Sequence, residues 1–227
     1  MGIHYSYDIH GNVKTQVNEL NYLVHFANSR YKRIDYKYDL VSGKVNAVHY
    51  QPGRSDKFVH RYSYDGDNRL VRVETSNDYL NFETDARYSY YRHGPLARVE
   101  LGERMAQGVD YAYTIHGWLK GVNAGFLNAE NDMGRDGYVP SSGTNPHEWV
   151  GRDAYGFVLD YYEGDYSPVG SGATNYATFI AAMPTGSDIY DGLYNNSSDG
   201  LHNGNIVRMH TALSVVLSII CSAYNYL

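Results

Sequence analysis

The chain has 227 residues, 43% of them hydrophobic, enough for one or two domains with a substantial core and too many for a disordered chain. Its net charge of -6 and pI near 5.9 exclude the basic footprint that nucleic acid or an anionic membrane surface would require. The single Cys221 excludes an internal disulfide and a cysteine-based zinc site. With 25 Tyr and 23 Gly beside only 6 Phe, the composition suits many short strands and tight turns, so the expected class is all-β.

Met1-Gly2-Ile3-His4-Tyr5 carries no charged leader followed by an apolar run, so no signal peptide is expected in this chain. The first element is a hairpin, Tyr5-Ser6-Tyr7-Asp8 with Gly11 and Asn12 at its turn. No polar capping feature precedes it, so the array it opens is expected to continue beyond this chain. Val13, Val17, Leu20, Tyr22, Val24 and Phe26 then predict a return strand and the strand after it, broken at Asn28-Ser29-Arg30.

The same phrase recurs as Tyr36-Lys37-Tyr38-Asp39, where Gly43 comes one residue later and predicts a longer or bulged loop. It is most complete at Tyr62-Ser63-Tyr64-Asp65-Gly66-Asp67-Asn68-Arg69-Leu70. Weaker copies follow, with Tyr88, Tyr90 and Gly94, then Tyr111, Tyr113 and Gly117. First tyrosines at 5, 36, 62, 88 and 111 give spacings of 31, 26, 26 and 23 residues, the signature of stacked supersecondary units.

Turn chemistry accounts for the phrase. Asp at the first position of a type I turn accepts a bond from the N–H two residues on, and Gly at the fourth tolerates positive φ. Asn68 takes the glycine place in the third copy. The fourth and fifth copies replace the aspartate by Tyr91 and Thr114, so their turns are expected to be looser. Tyrosines at i and i+2 share a face, and stacked copies are expected to set tyrosine beside tyrosine on neighbouring strands. Val45 to Tyr50, Leu70 to Thr75, Leu96 to Leu101 and Leu119 to Val122 are the predicted return strands, with one dry face and one wet.

From Gly125 to Pro146 the phrase stops, and a polar surface loop is expected over 124–147. Its acids lack the Asp-x-Asp-x-Asp-Gly spacing and closing Glu of a calcium loop. Strand character resumes at Trp149-Val150 and at Tyr155 to Tyr162, with a hairpin turn at Gly164-Asp165 and a loop over Pro168 to Gly172. Tyr176 to Met183 reads as strand or short helix. Beyond the run Asn195 to Gly200, Asn203-Gly204 marks a turn into a strand. The apolar run Thr211 to Ala223 is too short to span a bilayer and reads as a buried or interface strand.

His10, His93 and His116 share the position before the turn glycine and invite a metal reading, but turn tips seldom converge as ligands must. Asp8, Asp39 and Asp65 are explained by their turns. No nucleophile-elbow sequence is present, and Cys221 in an apolar run has no reason for a depressed thiol pKa. No catalytic, cofactor-binding or metal-binding residue is therefore expected.

The five copies resemble the YD repeat of Rhs and teneurin-like proteins. The best matches are Tyr5-Ser6-Tyr7-Asp8 with Gly11-Asn12, and Tyr62-Ser63-Tyr64-Asp65 with Asn68-Arg69-Leu70. Tyr113 to Gly121, Asp153 to Phe157 and Tyr161 to Tyr166 also look like bacterial Rhs sequence. The likeness covers residues 1–123 and, less specifically, 148–209. It implies antiparallel hairpins forming part of a curved, spiralling sheet shell around a C-terminal toxin, in a protein exported or displayed at the cell surface. The family's Asp-Pro-x-Gly motif, where self-cleavage is placed, and a toxin domain are both missing here. The expected organisation is a hairpin array over 1–123, an insertion over 124–147 and a degenerate continuation over 148–227. The expected function is structural and non-enzymatic, with the rest of the shell and its effector as partners. The alternative is a carbohydrate-binding or adhesion module whose exposed tyrosine rows stack on a surface glycan.

Overall fold

The computed structural model describes residues 1–20, 30–123, 127, 132–162, 165–166 and 202–213. Tyr22, Val24, Phe26, Gly164, the loop at Pro168 to Gly172, Tyr176 to Met183, Asn195 to Gly200 and Cys221 lie outside the described residues, as does the apolar run beyond Leu213. Every regular element described is a β-strand, so no helix among these residues is long and apolar enough to cross a membrane. The chain divides into two compact units, Met1–Tyr88 with Leu101–Glu103, and Ser89–Glu100 with Arg104–Leu227.

The strands of the first unit are β1 Gly2–Tyr7, β2 Val13–Glu19, β3 Tyr31–Tyr38, β4 Val45–Tyr50, β5 Phe58–Tyr64, β6 Leu70–Ser76 and most of β7 Glu83–Tyr90. Each pairs antiparallel with its sequence neighbour. In the second unit β8 Leu96–Leu101 (all but its last residue), β9 Gln107–Tyr113, β10 Leu119–Val122, β11 Tyr155–Asp160 and β12 Arg208–Leu213 also follow chain order. The predicted return strands are therefore β4, β6, β8 and β10, and the protein is an all-β hairpin array.

All five tips are built alike. The fourth-position amide bonds back to the first-position carbonyl, Gly11 to Asp8 at 3.2 Å, Asn68 to Asp65 at 3.0 Å, Gly94 to Tyr91 and Gly117 to Thr114 at 2.9 Å. In the longer second loop Gly43 bonds to Asp39 at 3.0 Å. Each of these residues has positive φ: Gly11 86°, Gly43 68°, Asn68 61°, Gly94 114°, Gly117 80°. The Asp8 and Asp65 carboxylates accept from the amides two residues on, His10 at 2.8 Å and Asp67 at 2.9 Å. The fourth and fifth turns are not looser. They close with the same two backbone bonds, because the left-handed residue fixes the turn and the carboxylate only adds to it.

The tips set the register. The second tyrosine of a copy lies opposite the first residue of its return strand, as in Tyr7 with Val13, Tyr38 with Val45, Tyr64 with Leu70 and Tyr113 with Leu119. One step on, the return strand has an extra residue, a bulge that in turn order is Lys14, Asn46, Val71 and Lys120.

Hairpins are joined by hydroxyls more than by stacked rings. Tyr38 Oη donates to the Val13 carbonyl and Tyr64 Oη to the Val45 carbonyl, both at 2.9 Å. In the second unit Tyr161 Oη donates to the Leu119 carbonyl at 2.8 Å, marking a sixth, degenerate copy. Among the described residues of the first unit the expected tyrosine-on-tyrosine rows do not form, and the Tyr36–Tyr38 ring pair runs along one strand. Each copy contributes two strands, so equivalent rings lie roughly 10 Å apart, too far to stack but near enough for a phenol to reach the strand between them.

The dry and wet faces are uneven. β9 alternates cleanly, with Gly108, Asp110 and Ala112 all buried, whereas β1 to β4 bury no residue fully on either face. Trp149-Val150 forms a turn rather than a strand, with Trp149 exposed and Val150 buried.

Gly117→Ala should lower stability by about 1–2 kcal/mol, the penalty for a left-handed L-residue, since a methyl there meets no atom within 4 Å and only the backbone resists it. Asn68→Gly should be neutral or slightly stabilising. Urea unfolding followed by far-UV circular dichroism measures both.

Candidate functional site

The second unit buries two groups of charged side chains. One is neutralised internally. Lys120, at the bulge position of the fifth hairpin, is 1% exposed, whereas Lys14 at the same place in the first copy is open to solvent. Its Nζ donates to Asp160 Oδ1 at 2.8 Å and to both Asp165 oxygens at 2.8 and 2.9 Å. Arg208 Nε takes the other Asp160 oxygen at 2.7 Å, and the Tyr161 amide donates to Asp165 Oδ2 at 2.9 Å. Two cations thus face two carboxylates, tying β10, β11, β12 and residue 165 together. Burial opposes the Asp160 charge, but Lys120 and Arg208 outweigh it and hold the carboxyl below its ordinary range.

The other group is not neutralised. Arg98 on β8 reaches Asp110 on β9 through Nη1, Asp136 Oδ1 through Nη2 at 2.7 Å, and Glu100 through Nε at 3.2 Å. Asp132, Asp136 and Asp153 complete it, and Asp110, Asp132 and Asp136 each present an oxygen within 4.8 Å of the others. All four aspartates are buried, Asp136 at 1% exposure and Asp153 at 7%. His147 stands at the edge, its Nδ1 donating to the Gly134 carbonyl at 2.7 Å and its ring 3.6 Å from Glu100. Arg135 turns away, its guanidinium stacked over Tyr138 at 4.4 Å.

The cluster depends on two glycines. A Cβ on Gly108 would overlap Arg98 and Asp136, and one on Gly134 would overlap Arg98 and Asp110. The segment carrying Asp132 to Asp136 is no ordinary surface loop. It has no strand among its described residues, yet it is held inward by Asn145 Nδ2, which donates to the Arg135 and Tyr138 carbonyls at 2.7 and 2.8 Å.

Burial dominates the electrostatics here. It pushes the Asp110 carboxyl up to about 7 despite Arg98, and Asp153 up to about 9, where the charge of Asp132 adds to it. Asp136 is also raised, by burial first, against the pull of Arg98. Arg98 is itself opposed by burial but is held above its ordinary value by Asp110 and Asp136.

The repeat-defining tyrosines lie elsewhere and form no cleft. Tyr36, Tyr38, Tyr62, Tyr64, Tyr88, Tyr90, Tyr111 and Tyr113 are half-buried, and only Tyr5 and Tyr7 of the first copy are exposed, at 50% and 60%. His10, His93 and His116 sit on separate exposed tips, His93 stacked on Tyr91 and His116 tilted against Trp118.

No family model and no curated protein matches the chain. Among solved structures it is similar to the crystal structure of TcdB2-TccC3-Cdc42, at 15% identity and a TM-score of 0.32, over 71% of this chain and 9% of that one.

Lys120→Met should destabilise the second unit by about 3–5 kcal/mol, because it leaves Asp165 buried without a counter-charge. Adding Asp165→Asn to that variant should recover part of the loss, which chemical denaturation of the single and double variants measures.

Proposed function

We propose that the protein is an architectural segment with no chemistry of its own, one stretch of the wall of a longer YD-repeat protein that is exported or displayed at the surface. In that setting its partners are the remaining repeats and an effector domain that the wall encloses or presents. The observation that carries this reading is the five-fold recurrence of one hairpin with one tip geometry, each strand paired to its sequence neighbour within its unit. Such an arrangement extends by adding copies and offers no built-in end. The half-burial of the inner tyrosines favours wall packing, since Tyr38 and Tyr64 spend their hydroxyls on backbone carbonyls.

A glycan-binding module is the second reading, and the exposure of Tyr5 and Tyr7 is the observation in its favour. The two readings separate on a glycan array combined with the reading frames on either side of this sequence. The architectural reading expects no saccharide signal that Tyr5→Ala or Tyr7→Ala abolishes, together with further Tyr-x-Tyr-Asp hairpins in the flanking frames. A tyrosine-dependent saccharide signal and flanks without such hairpins would overturn it.

A further inference from the structure

We propose that Asp110, Asp132, Asp136 and Asp153 hold one calcium ion, which knits the segment after β10 to the hairpins of the second unit. The argument is independent of the architectural reading and starts from the contrast between the two buried groups. Around Lys120 every carboxylate oxygen that points inward has a cationic or amide donor. Around Arg98 that is not so. The guanidinium uses Asp110 Oδ2 and Asp136 Oδ1, and four buried oxygens are left with no donor among the described residues: Asp132 Oδ1, Asp136 Oδ2 and both oxygens of Asp153, which faces the Asp132 carboxyl.

Orphaned carboxylate oxygens of this kind are rare in proteins, because burying an unpaired charge is costly unless a proton, a base or a metal ion compensates it. Among the described residues Arg98 is the one guanidinium bonded into the cluster, and His147 at its edge already donates Nδ1 to a backbone carbonyl. Either two of the acids carry protons, or a cation sits among them.

The donor set specifies which cation. It consists of carboxylate oxygens with no thiolate, and imidazole enters only at the rim, so it suits a hard ion. The oxygens of Asp110, Asp132 and Asp136 all lie within 4.8 Å of one another, inside the span of a calcium shell with Ca–O distances of about 2.3–2.6 Å. A magnesium ion, with Mg–O distances of about 2.1 Å, demands a near-ideal octahedron and would keep waters for which this buried cluster has little use. Gly108 and Gly134 fit the same purpose, since a side chain at either would occupy the space the acids share. No linear motif announces the site, because its donors come from β9, from the segment after β10 and from the residue two before β11.

Calorimetric titration of the intact protein with CaCl2, in chelator-treated buffer near neutral pH, tests the proposal. One calcium per chain is expected, with magnesium failing to displace it at equal concentration. Asp132→Asn and Asp153→Asn should each weaken binding by about tenfold or more with unchanged far-UV circular dichroism. Asp65→Asn, at a turn of the first unit, should bind like the wild type. Asp153 decides the matter should the Asp132 variant not fold, since among the described residues its carboxylate has no donor to lose on substitution. Calcium binding that survives both substitutions would overturn the proposal. So would a protein whose unfolding temperature is the same with calcium and with chelator and falls as pH rises through neutrality, for then protons on the raised carboxyls neutralise the cluster and are lost with rising pH.

Discussion

One left-handed residue at the end of each turn governs this protein. It closes the tip, and the tip fixes which return-strand residue faces the second tyrosine. That register places the bulge one step later. It also leaves the carbonyls of Val13, Val45 and Leu119 where the tyrosine of the following hairpin can reach them. Each such bond is worth only about 1 kcal/mol, yet the same geometry repeats at every joint that makes it. A sheet that buries few residues fully is thereby given a defined pairing order.

The second unit uses the same scaffold for a different purpose. At the bulge position, where the first copy shows solvent a lysine, the fifth points Lys120 inward onto Asp160 and Asp165. Next to it, the inward row of β9 replaces an apolar residue by Asp110 between Gly108 and Ala112. The small neighbours leave room for charge, and the segment after β10 fills that room with more acids. Among the described residues the first unit buries a single ion-paired carboxylate, Glu74 between Arg61 and Arg72, whereas the second gathers several buried charges that must be compensated. The repeat therefore specifies where a polar core can be placed without specifying its chemistry.

The strands were legible in the amino-acid sequence because Tyr-x-Tyr and the return-strand aliphatics carry a period of two, and the tips because Asp and Gly have strong turn preferences. Two inferences drawn from those residues failed for a physical reason. Turns lacking the aspartate were expected to be loose, but positive φ at Gly94 and Gly117 suffices to close them. Rows of equivalent tyrosines between copies were expected, but two strands per copy set those rings too far apart, and in the second unit only non-equivalent rings such as Tyr91 and Tyr113 meet among the described residues. The acidic cluster was hidden because its members are spread from Arg98 to Asp153 and converge only in three dimensions. One signal was available: Asp110 falls on the inward parity of a strand, where an acid must have a reason.

The most direct measurement of the central claim is residue-resolved amide hydrogen exchange at the first position of each turn. The amides of Asp8, Asp39, Asp65, Tyr91 and Thr114 donate to Asn12, Lys44, Arg69, Pro95 and Trp118 across the five tips, at 2.8–3.0 Å. All five should be protected well above the unfolded-chain rate, including the two without an aspartate. Free exchange at these amides in a protein whose strand amides remain protected would contradict the account, because the tips would then not be what sets the register.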